Sequence, residues 1–247
     1  MRTITLSLIL VALTCAIVAQ YFILRATHFD PGEYVISSID LAALQRANAA
    51  NQQAARANPT IERTRKLVDE IRAASYPELR DAQIAVETFQ NRADYFRSSF
   101  SIARFLLPGK MRYQLLVNPR VFELQAPSEG VRAILAHELG HTLYFKQRNR
   151  IELLGLARLV GKGFTARFER WADLQAISRG YGEGLKAYRQ WLYQHIPADR
   201  LAEKRRNYFS PEEIDAILAA IQKHPDQMVY WLNHVPLNLR EIQSSVR

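Results

Sequence analysis

The stretch R-A-I-L-A-H-E-L-G-H-T-L-Y-F, Arg132 to Phe145, places two histidines four residues apart around a glutamate, in a chain that has only six histidines. On a helix of ~3.6 residues per turn, positions i and i+4 lie about 40° apart on one face. His137 and His141 therefore point the same way, and two imidazole nitrogens so placed can both reach one Zn2+ at about 2.0–2.1 Å. Glu138 projects beside them, near enough to act as a base without being a ligand. The flanking Ile134, Leu135, Ala136, Leu139, Leu143, Tyr144 and Phe145 make the helix apolar on most sides, so it should be buried. Two imidazoles and a carboxylate left unpartnered in such a place would cost several kcal/mol, and a metal ion would supply the partners.

A catalytic zinc takes three protein ligands and keeps a fourth position for water. The best further ligand is Glu169 in F-E-R-W-A-D, on a second helix, because Asp173 follows it by one turn on the same face. A carboxylate there is suited to accept the free N–H of a metal-bound histidine and fix its tautomer. Glu152 competes as the ligand but has no such neighbour. Taken alone, Glu169 and Asp173 would equally suit a solvated face paired with Arg170.

The elements that must carry these residues follow from pattern and caps. Pro127 and Ser128 supply a loop and an N-cap for the histidine helix, which should run to about Gln147. Upstream, Thr60 caps a helix whose Ile61, Leu67, Val68 and Ile71 share a face. A segment opened by Pro77 then carries Leu79, Ile84 and Val86. From Phe96 to Val117 apolar and aromatic residues alternate in part around Pro108–Gly109, which predicts two strands joined by a hairpin-like turn. The strand from Met111 to Val117 is expected to offer an edge to an extended peptide. Ile151 to Val160 reads as a packed helix between the two metal-bearing helices, with a dip into a membrane interface or a lid over the cleft as the other readings. Near the C-terminus Ser210, Pro211 and Glu213 form a capping box for an amphipathic helix. Trp171, Trp191 and Trp231 are read as core.

The 247 residues, 48% of them hydrophobic and 23% charged, suit one folded domain and exclude a disordered chain. The net charge of +9 would suit an anionic surface. The arginines are scattered, with no helix-turn-helix, zinc-finger or aromatic RNA-binding pattern, so no nucleic-acid partner is expected. The single cysteine, Cys15, excludes an intramolecular disulfide and any cysteine-based metal site. Ile4 to Leu24 carries no formal charge, about the ~20 residues a transmembrane helix needs. An uncleaved anchor over residues 1–29 is expected, with the domain on the exported side; a cleaved signal segment and a secreted product is the alternative. Residues 30–59, rich in Ala, Asn and Gln, read as a polar helix or tether that carries little core, and residues 60–247 as the folded domain.

HELGH followed by Glu-x-x-Ala-Asp, Glu169 to Asp173, resembles the gluzincin metalloproteases of the CAAX prenyl protease and HtpX heat-shock protease family. The segment A-R-F-L-L-P-G-K is similar to the family's Asn-Ala-Phe-x-x-Pro-Gly-Gly strand and turn at Phe105, Pro108 and Gly109, with Ala103 and Lys110 departing from it. H-V-P-L-N-L-R-E-I resembles the family's closing His-Pro-Pro segment at His234, Pro236, Arg240 and Ile242, with Val235 departing. The resemblance implies an α+β, mainly helical zincin-type domain with a small sheet beside the HExxH helix. It further implies a zinc endopeptidase holding one Zn2+ per chain, with His137, His141 and Glu169 as ligands, Glu138 as general base and Asp173 supporting a ligand. It also places His234 and Arg240 near the site, one supporting the oxyanion and the other holding Asp173. The expected substrate is an unfolded or flexible polypeptide, cleaved by a membrane-tethered enzyme. A zinc-braced scaffold without activity is the first rival, and a basic membrane-surface binding protein the second.

Overall fold

The computed structural model describes residues 20, 29–31, 38–54, 60–101, 109–149, 152–153 and 162–245. The segment expected to span a membrane lies outside these, apart from Gln20, as do Phe105, Pro108 and nearly all of the stretch Ile151 to Val160. Among the described residues no helix is long and apolar enough to cross a membrane.

The fold is mainly helical with one three-stranded sheet among the described residues, in agreement with the α+β expectation. Helix α1 (Leu41–Ala54) and helix α2 (Ile61–Ser75) lead into a single 3-10 turn, Pro77–Leu79. Strands β1 (Gln83–Thr88), β2 (Phe96–Phe100) and β3 (Arg112–Val117) follow. A one-turn helix α3 (Arg120–Glu123) precedes the histidine helix α4 (Ser128–Lys146). After it come α5 (Lys162–Ile177), α6 (Gly182–His195), α7 (Ala198–Asn207), α8 (Pro211–Lys223), α9 (Gln227–Asn233) and α10 (Leu239–Ser245).

Helix α4 is the centre of the molecule, with every residue from Gly130 to Phe145 buried, as its apolar circumference predicts. It packs on α2, α5, α6 and β2. Its close neighbours are admitted by small residues. A Cβ on Gly184 of α6 would stand 2.4 Å from the Glu129 carbonyl oxygen, so α6 can cross there only with glycine. Gly140, inside the HELGH motif, lies against Ala172 and Gln175 of α5, where a Cβ would meet the Ala172 Cα at 3.4 Å. The glycine of the first motif and the alanine of the second thus set the distance between the two helices.

Several expectations are corrected. Strand β3 is the centre of the sheet, not an edge: it pairs in parallel with β1 and antiparallel with β2, Phe96 facing Val117. Its neighbours occupy both of its hydrogen-bonding sides, so the edge next to α4 is β2. The Pro77 segment turns into β1 after one 3-10 turn. Ser128 is not a side-chain cap; Pro127 precedes the helix and its carbonyl accepts from the Val131 N–H at 2.8 Å. The region read as a polar helix or tether contains the helix α1, which buries Leu44 and ties Asn51 to the Gly180 carbonyl at 2.8 Å. The Thr60 cap and the Ser210–Glu213 capping box form as predicted, and Trp171, Trp191 and Trp231 are core.

Candidate metal centre

Helix α4 presents His137 and His141 on one face, their rings 4.6 Å apart. Helix α5, held close at Gly140, brings up Glu169 opposite them. Its Oε2 lies 3.3 Å from Nε2 of His137 and 2.9 Å from Nε2 of His141. Three ligand atoms from two helices therefore converge on one point, and the group can hold a metal ion. Two ligands each about 2.0–2.1 Å from an ion at tetrahedral angles stand ~3.4 Å apart. The 3.3 Å separation meets this, and the 2.9 Å one opens to it by a few tenths of an ångström when an ion replaces the hydrogen bond.

Asp173 supports the group from behind. It is fully buried, and its Oδ1 lies 2.7 Å from Nδ1 of His137, close but off the line of the N–H. The same oxygen accepts from Nη2 of Arg189 at 2.8 Å, while Oδ2 accepts from the Phe209 backbone N–H at 3.0 Å. Burial opposes charge on His137, but Asp173, Glu169 and Glu138 outweigh it and push the imidazole up to about 9. Burial likewise opposes the charge on Glu169, and the two histidines outweigh it, holding its carboxyl well below the usual range. An entering metal ion takes the place of the proton that these groups share.

Glu138 is buried and its Oε2 has no hydrogen-bond partner. Its backbone is pinned instead: the Glu138 carbonyl accepts from Ser98 of β2 at 2.7 Å and from Thr142 at 3.1 Å. Ser98 thereby clamps β2, an outer strand of the sheet among the described residues, to the metal helix. Glu138, His141 and Glu169 open into a cleft of about 250 Å³, walled by Phe96, Arg97 and Ser98 of β2, Phe168 of α5, Lys204 of α7, and Tyr208. Lys204 bonds Asp94 across it at 2.8 Å. The Phe168 ring stacks on His141 at 4.2 Å and fixes its plane.

His137, Glu138, His141, Glu169 and Asp173 are thus brought together, and two expected neighbours are not. His234 is exposed on the end of α9, stacked on Tyr230 and lining a separate pocket with Trp231 and Pro236. Arg240 is exposed on α10, so it does not hold the buried Asp173. That part is taken by Arg189, itself buried on α6. Its signal in the sequence is an arginine four residues after Leu185 and three before Leu192, on the apolar face of an amphipathic helix. Glu152 accepts from the Asn149 N–H at 3.2 Å and is not in the ligand group. Arg170 pairs with Glu213 of the α8 capping box at 3.0 Å, which excludes the solvated-face reading of this part of α5. Compared with known proteins, the chain matches no family model, no curated protein and no solved structure, so the reading of the site rests on its own residues.

Proposed function

We propose that this chain is a zinc-dependent endopeptidase of the gluzincin type, tethered to a membrane by its N-terminal segment, with one Zn2+ held by His137, His141 and Glu169. The observation that carries the reading is the convergence of two imidazoles and one carboxylate beside a buried, unpartnered Glu138 carboxylate at the floor of a cleft. Two histidines and a glutamate are a ligand set of catalytic zinc, which leaves a position open. Bound zinc supplies Lewis acidity toward a carbonyl oxygen and makes water acidic near neutral pH.

The protein's own residues do the rest. Glu138, which lines the cleft beside the ligand group, takes the proton of the attacking water and returns it to the leaving amine. Asp173 and Arg189 hold His137 in one orientation. Strand β2, the sheet edge beside the cleft, offers backbone groups to a substrate added as an extended strand. An unfolded or flexible segment is needed to lie there.

The rival is a non-catalytic brace in which zinc joins α4 to α5. A brace has no use for a buried carboxylate oxygen without a partner, which costs about 1–3 kcal/mol. The test is cleavage of an unfolded polypeptide by the purified chain before and after treatment with a chelator. Activity lost to the chelator and restored by stoichiometric zinc supports the peptidase; a metal-loaded chain that cleaves none of a panel of unfolded polypeptides supports the brace.

A further inference from the structure

Hydrolysis of a peptide bond places negative charge on the carbonyl oxygen, and a donor aimed at that oxygen lowers the barrier. His234 is exposed in another pocket. We infer that Tyr208 is this donor, an inference that rests on the peptidase reading of the metal site.

Tyr208 lies in the extended link between α7 and α8 and lines the same cleft as Glu138, His141 and Glu169. Its ring stands 5.9 Å from that of His137. The link cannot drift, because the next backbone N–H, that of Phe209, is bound by Asp173 at 3.0 Å, the carboxylate that also touches His137. The ring is held by two cations, the Arg189 guanidinium at 4.3 Å and the Lys204 ammonium at 5.0 Å from its centroid. Both are fixed in turn, by Asp173 and by Asp94. The hydroxyl has no hydrogen-bond partner among the described residues, although the ring is held by these contacts. A phenol so held, with its O–H uncommitted at the wall of the cleft, is preorganised to donate to a substrate oxygen. No bond of Tyr208 is made or broken. Water oxygen bonds to the carbonyl carbon, the C–N bond breaks, the water proton passes through Glu138 to the amine, and the phenol keeps its proton throughout.

The test compares the full zinc-loaded chain in detergent with Tyr208→Phe, which keeps the ring and its cation contacts. Three readouts are taken: zinc content, kcat and KM on an unfolded casein, and calorimetric affinity for a phosphinic peptide, whose anionic oxygen mimics the charged carbonyl. The expected result is unchanged zinc and melting temperature, KM little altered, and kcat and phosphinate affinity both lower by about 100-fold, as for loss of one oxyanion donor. A parent that cleaves casein with a Tyr208→Phe variant equal to it in kcat and phosphinate affinity overturns the inference and leaves the peptidase reading standing. A zinc-loaded parent that neither cleaves casein nor binds the phosphinate overturns both. Loss of zinc or of the folded state in Tyr208→Phe would mark the hydroxyl as structural and likewise overturn it.

Discussion

Asp173 accepts hydrogen bonds from the Arg189 guanidinium and the Phe209 backbone N–H, and its Oδ1 lies 2.7 Å from Nδ1 of a histidine of the metal group. Replacing it with alanine frees His137 to rotate and is expected to lower metal affinity about 10–100-fold, measured by competition with a chromophoric chelator. Arg189→Met removes the larger of the charges that hold the buried Asp173 carboxylate ionised. That variant should lose about 3–5 kcal/mol of stability, read from denaturant unfolding; a loss no larger than that of a surface arginine variant such as Arg92→Met would refute the role given to Arg189. At this scale the sequence was legible where a fixed local spacing binds residues together. His137, Glu138 and His141 follow from four residues of helix, and Asp173 from its one-turn offset from Glu169. Arg189 and Tyr208 come from other elements, and only the packing of α6 and the α7–α8 link brings them to the site. His234 and Arg240 were expected there through resemblance in a terminal segment, whose placement is set by α9 and α10 and not by local pattern.

The distance between α4 and α5 is set at Gly140, and the metal group depends on it. Gly140→Leu forces a branched side chain against Ala172 and Gln175; it should cost about 1–3 kcal/mol and weaken metal binding more than the same change at the exposed Gly109, in chelator competition. On the other wall of the cleft, Asp94 joins the turn before β2 to Lys204 of α7. Burial raises its carboxyl, but Lys204 and Arg97 outweigh burial and leave it lowered from 3.8. A lowered pKa in the folded state means stability that is present above the unfolded value and lost as pH falls through the folded one. Melting curves of the parent and Asp94→Asn should therefore differ at pH 7 and converge on acidification below about 3.8; a gap independent of pH would show that the carboxylate charge is not what joins the walls. Helices with strong caps and one apolar face, such as α2 and α8, were readable from sequence. The order of the strands was not, because β1 lies after a Pro77 turn that reads equally as a helix start. The parallel partner of β3 is chosen by the assembly of the sheet, whose strand β2 packs on α4, and no segment encodes that by itself.

For the molecule as a whole, the metal group ties together α4 and α5, and through Asp173 and Arg189 also α6. An ion that binds only the folded chain should raise stability by about 2.7 kcal/mol at a hundredfold excess over its dissociation constant. Scanning calorimetry with and without chelator reads this, and a melting temperature indifferent to metal would argue against a preformed site. That the chain folds was legible from composition, 48% hydrophobic residues with scattered charge, while the α+β class came from the family resemblance of the HELGH and Glu-x-x-Ala-Asp segments. The docking of α1 was not legible, because a helix so rich in Ala, Asn and Gln buries little apolar surface and is held through Leu44 and Asn51. The most direct test of the central claim is metal content and polypeptide cleavage measured together on the parent and on Glu138→Gln. The expected result is one zinc per chain in both proteins and cleavage by the parent alone. Equal cleavage by both, or a folded parent that retains no metal, would contradict it.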